Sequence, residues 1–187
     1  MDVAKRERLV SEAAWRVLVR DGLASLSVRH VAAEAGLPPS SLRYTFPTQS
    51  DLRIRAFERV IDRFRERVAG VAGYGSPAWA RETLMQLLPL DEERRLEMEV
   101  FLVLGNAAIT DTAMRPLDLA AHRANHELCT RALTVLQGSE AVDELEVNRL
   151  HALIDGLALH LVRQPSETGA FWAVETLDAH MAQVAAV

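Results

Sequence analysis

Apolar residues in this chain recur at three- and four-residue steps, and no run alternates apolar with polar at the two-residue step of a strand. That periodicity restricts the chain to helices that bury one stripe each. Val10, Ala13, Ala14, Val17 and Leu18 form the first stripe, and Asp21-Gly22 ends it, since glycine tolerates the left-handed turn that often closes a helix. Ser27 stands as an N-cap before Val28, Val31, Ala32 and Ala35, and Gly36 closes that helix after barely two turns. Pro39 opens a third short helix through Ser40, Ser41, Leu42, Arg43 and Tyr44 to about Phe46, because proline at the first helical position gives up an N–H that had no partner.

Pro47 to Ser50 breaks the chain before a long helix with the seam Ile54, Phe57, Ile61, Phe64 and Val68. On its other side Arg55, Arg59, Arg63 and Arg67 stand in a row with Glu58, Asp62 and Glu66 between them. Either a phosphate-binding ridge or a solvated face with i, i+3 ion pairs such as Arg55 with Glu58 fits the row, and the second is the expectation. Gly70 to Pro77 is a connector, with no preceding strand or dinucleotide-loop spacing. Five more helices follow, at about 78–88, 91–111, 115–137, 140–163 and 168–185, with Asp91, Glu92 and Glu93 at the favourable N-terminal end of the second of them. The expected fold is all-α, about nine helices. Residues 1–50 make one unit, 51–69 a connecting helix, and 70–187 a larger helical domain.

Charge divides the same way. The net −5 hides thirteen basic and nine acidic residues in 1–67, a balance of +4, against −9 for the remainder. The single cysteine, Cys129, excludes an internal disulfide framework and a Cys-rich zinc module. The charged N-terminus does not read as a signal peptide, and no apolar run is long enough for a membrane span, so a cytoplasmic protein with no membrane partner is expected.

Two short helices joined by a tight glycine turn match a helix-turn-helix, whose second helix enters the major groove. Pro39, Ser40 and Ser41 are small enough for close approach to base edges, Arg43 and Tyr44 can reach phosphate or base, and Ser27 can present its hydroxyl to a phosphate. Residues 8–60 as a unit resemble the DNA-binding domain of the TetR family of bacterial transcriptional regulators. The resemblance rests on Ala13-Ala14, Val17-Leu18, Gly22, Ser27-Val28, Val31-Ala32, Ala35-Gly36-Leu37, Ser41-Leu42, Phe46-Pro47 and Leu52, in order and at the family's spacing. It implies a three-helix DNA-binding domain, a helical ligand domain, a homodimer built on the last two helices, and release of a double-stranded, palindromic operator by a small-molecule effector. Carried over by position, Ser27 and Arg29 contact DNA from the second helix, Pro39 to Ser41 face bases, and Arg43, Tyr44 and Gln49 lie by phosphates. Pro38, Arg43, Thr45 and Gln49 depart from the family's usual residues, which removes a side-chain cap, an aromatic or two and a lysine. Lys5, Arg6 and Arg8 are candidates for a compensating arm on the minor groove or backbone.

In the distal half, Leu150, Ile154, Leu157 and Leu161 on one helix face Phe171, Val174, Leu177, Met181 and Val184 on the next at bundle spacing. Pattern alone divides evenly between an intrachain core and a subunit interface; the resemblance favours the dimer interface. Val100 to Ile109 reads as buried nearly all round, with Asn106 a satisfied core amide or a ligand reader. Trp79, Met85, Phe101 and Leu104 are placed nearest a pocket, along with Asn106, His122 and His126. Asp118, His122, His126 and Cys129 share one helical face, but one helix cannot wrap four ligands around a tetrahedral ion, so no metal and no cofactor are expected. His151, His160 and His180 read as ordinary surface or interface residues.

The expected function is a ligand-responsive repressor and not an enzyme. An all-α enzyme or a helical interaction adaptor are the alternatives, but no nucleophile elbow, metal-binding Glu/His motif or phosphate loop supports catalysis.

Overall fold

The computed structural model describes residues 3–186, apart from the side chains of a few of them, Tyr44 and Gln49 included. Among the described residues there are nine α-helices and no strand: α1 Val3–Asp21, α2 Val28–Glu34, α3 Pro39–Thr45, α4 Gln49–Ala69, α5 Pro77–Met85, α6 Glu92–Ala108, α7 Arg115–Gln137, α8 Glu144–Arg163 and α9 Phe171–Val184. Single 3-10 turns precede α2 and α9. None of the helices is long and apolar enough to cross a membrane.

The stops and starts have local causes. Gly22 and Gly36 take φ of +76° and +64°, a region where a Cβ would be strained, and so permit the tight turns on either side of α2. The Ser27 hydroxyl accepts from the His30 amide at 3.3 Å and starts α2. Pro38 precedes α3 with no side-chain cap, as its residue type requires. Thr48 and Asp51 form a reciprocal capping box that starts α4 two residues ahead of the expected position. In the distal half Gly138 ends α7 in the left-handed region and Asp143 caps α8, so that helix begins at Glu144 and not near 140.

Two apolar cores hold the helices. The first joins Val10, Val17, Leu42, Leu52 and Phe57 of α1, α3 and α4 with Val100, Leu104 and Ala108 of α6, Met114 just before α7, and Ala121 of α7. The second gathers Trp79, Leu84, Leu128, Leu133, Leu150, Ile154, Ala173 and Leu177 from α5, α7, α8 and α9. Helix α4 serves both, since Phe64 and Val68 pack on the second. Arg81 of α5 makes a bidentate pair with Asp178 of α9 at 2.7 and 2.9 Å, and Arg95 of α6 donates to the Leu161, Val162 and Gln164 carbonyls that end α8.

Leu150, Ile154, Leu157, Leu161, Leu177 and Met181 are buried within the single chain, and Val174 is half-buried, so they form intrachain core and are not free for a subunit contact. Val100 to Ile109 is not buried all round: Val103 is 53% and Ile109 72% exposed, and Asn106 is exposed too, because the helices packed on α6 leave part of its circumference uncovered. Lys5, Arg6 and Arg8 lie within α1 and form no arm; Arg6 instead donates to the Ser41 carbonyl of α3.

Candidate nucleic-acid interface and effector cleft

Helices α2 and α3 are held by a few deeply buried side chains, Val31, Ala32 and Leu42, which leave the polar residues outward. Arg29, Pro39, Ser40 and Arg43 are exposed, and Ser27 and Ser41 are half-exposed. Arg16 and Arg20 of α1 both grip Glu34 of α2, at 2.7 and 2.8 Å, and hold that carboxyl below its ordinary range. Among the described residues Arg29 and Arg43 have no carboxylate partner, which leaves both guanidinium groups for phosphate or base edges. The side chains of Tyr44 and Gln49 lie outside the described residues.

The arginine row on α4 departs from the solvated face expected of it. Arg55 pairs with Glu58 at 3.0 Å as the i, i+3 spacing predicts, and also faces Glu7 of α1 at 3.5 Å. Further along, Arg63 donates to Glu97 of α6 at 2.6 Å and reaches Glu93, while Arg67 bonds the other Glu97 oxygen. Glu97 is only 3% exposed. The Arg63 guanidinium also sits 4.7 Å from the centroid of the Trp15 ring of α1, a cation–π contact. One chain of contacts therefore runs from the first helix through α4 into α6. The signal for Glu97 was present in the stripe 97, 100, 104, 108, where a carboxylate occupies a core position of α6 and so demands a cationic partner.

Beside this cluster lies a cleft between α4, α6, α7 and α8. Its inner part is a cavity of about 70 Å³ walled by Val60, Ile61 and Phe64 of α4, Leu88, Glu97 and Arg67. Its outer part, about 350 Å³, is bounded by Leu102, Gly105, Asn106, Asp118, His122, Ile154 and Asp155. Leu87, Met98, Phe101 and Asn125 line both, so the two adjoin. Phe101 stands edge-on to Phe57 of α4 with centroids 5.3 Å apart. The Arg67 Nε has no hydrogen-bond partner among the described residues. Gly105 borders the outer part, where a Cβ would lie 3.0 Å from an Asp118 carboxylate oxygen.

Of the residues expected near a pocket, Phe101, Asn106 and His122 line this cleft. Trp79 and Met85 sit in the second core, where Tyr74 packs edge-on against Trp79, and Leu104 sits in the first; none of the three borders the cleft. His126 turns to α8, its Nε2 lying 3.2 Å from both Asn148 Oδ1 and Glu144 Oε1. Leu87, Met98 and Asn125 were not legible as lining residues, since they come from a loop and two helices whose mutual rotation one sequence does not encode locally.

Residues 77–186 match the model of the C-terminal domain of BetI-type transcriptional repressors. The chain is 32% identical over 174 residues to the HTH-type transcriptional regulator PksA of Bacillus subtilis, covering 88% of this chain and 82% of that protein. Among solved structures, a TetR family member from Streptomyces coelicolor superposes with a TM-score of 0.71 at 27% identity, covering 94% of this chain and 97% of the other. The multidrug binding protein EbrR, in complex with malachite green, gives 0.68 at 27% identity over 94% of this chain and 97% of its own. With a helix-turn-helix presenting exposed arginines and a helical body enclosing a cleft, the chain belongs to the TetR family of transcriptional regulators.

Proposed function

We propose that this regulator grips a palindromic operator as a homodimer, with Ser27, Arg29, Pro39, Ser40, Ser41, Arg43, Tyr44 and Gln49 at the DNA, and releases it when a small molecule fills the α4–α6–α7–α8 cleft. Regulators of this family bind DNA operators and small ligands and act as dimers. The observation that carries the effector half is the Trp15–Arg63–Glu97 chain. Glu97 and Arg67 are cleft walls, and Arg63 hands any displacement of Glu97 to the helix that packs on α2. A ligand acts through this chain only to the extent that it binds the released arrangement better than the DNA-bound one. The wall composition suits a largely apolar molecule with a hydrogen-bond acceptor to meet the Arg67 Nε donor. EbrR, which was crystallised with malachite green, offers a precedent for an aromatic occupant.

The test begins with duplexes selected from a random pool by the full-length protein. Binding followed by fluorescence anisotropy across a salt series should show a steep fall, and the double variant Arg29→Ala/Arg43→Ala should bind at least tenfold more weakly with a salt slope shallower by about 2. Unchanged affinity and slope in that variant would overturn the assigned DNA face.

A further inference from the structure

One group of side chains near the cleft mouth is used neither by the DNA face nor by the Glu97 chain. His122 of α7 and His151 and Asp155 of α8 bring three ligand atoms within 4.8 Å of one another. We propose that these three residues form a binding site for a first-row divalent ion of the zinc type.

The geometry comes from two helices, and so escapes the objection that one helix cannot surround an ion. His151 and Asp155 are one helical turn apart on α8, and His122 enters from α7, its ring edge-on to that of His151 with centroids 5.0 Å apart. The Nε2 of His151 is buried and has no hydrogen-bond partner among the described residues. Its nearest carboxylate oxygen, on Asp155, is 3.7 Å away, beyond hydrogen-bond range. An ion held at about 2.0–2.1 Å by each donor needs ligand atoms roughly 3.3 Å apart. The contraction falls on His122 and Asp155, both exposed and free to change rotamer, while His151 stays against the core.

Donor chemistry selects the metal. Two imidazoles and one carboxylate suit zinc, cobalt or nickel better than calcium or magnesium, which take oxygen. The unpartnered His151 ring nitrogen is the kind of donor such an ion takes. His126 is engaged with Asn148 and Glu144 and borders the site without belonging to it. Cys129 is also excluded: it is fully buried, and burial pushes its thiol up to about 12, so no thiolate is available. Three protein ligands leave an open coordination position, and because His122 and Asp155 line the cleft, that position opens onto it.

The experiment uses tag-free, full-length protein stripped with a chelator, with neither operator nor effector present, so its result stands apart from that of the DNA test. Cobalt titration followed by visible absorption, and zinc titration against a chromogenic chelator, should each give one ion per chain. His122→Gln and Asp155→Asn should each weaken zinc binding at least tenfold, while His160→Gln leaves it unchanged. Both ligand substitutions fall on exposed side chains, and circular dichroism melts equal to wild type establish that the variants are folded. No saturable binding, or undiminished binding by the folded double variant His122→Gln/Asp155→Asn, would overturn the site.

Discussion

Glu97 shows how one side chain can take a structural duty from its neighbours. Placed at a core position of α6, it is tolerated because Arg63 and Arg67 each occupy one of its oxygens. Glu97→Gln leaves two arginines facing a neutral amide in a buried site, and should cost about 3–5 kcal/mol in urea unfolding, the usual penalty for breaking a buried ion pair from one side. Residues whose role is local were legible before any fold was known: Ser27 as a cap, Pro38 as the missing cap, Gly22 and Gly36 as turns. Asn106 was not, because its exposure depends on how α7 and α8 are placed beside α6, where they leave it at the wall of an open cleft.

Helix α4 is the element on which sequence and structure differ most usefully. Its start is encoded locally by Thr48 and Asp51, and Thr48→Ala should lower stability by about 1 kcal/mol in thermal or denaturant melts by removing the cap. Its apolar seam was readable from spacing, and Phe57 and Ile61 are buried as that spacing requires. The arginine row was readable only as a row. Spacing places four guanidinium groups on one face but does not say that α6 will lie across half of it, with Glu93 and Glu97 waiting there. The same limit applies to α8 and α9, whose periodic leucines equally suit an internal core or a subunit seam.

At the scale of the molecule, the leucine positions of α8 and α9 are spent on the chain's own core, so the proposed dimer, if it uses these helices, has only their outward faces available. Those faces carry Ala152, Ala179, Ala182 and the 73% exposed Phe171, residues that allow close helix approach around one aromatic anchor. Ala179→Arg should therefore yield monomer in sedimentation at concentrations where the wild type is dimeric, with its helix content unchanged. The helix-turn-helix, its polar outward residues, the charge division and the nine-helix pattern were determined by the sequence alone, because caps, turns and stripe periods act over a few residues. Only the tertiary structure decided which faces meet: the pairing of α4 with α6, the cleft that α7 and α8 complete, and the meeting of His122 with His151 and Asp155. These depend on the rotation of each helix about its own axis, which is set by packing partners far away in the chain.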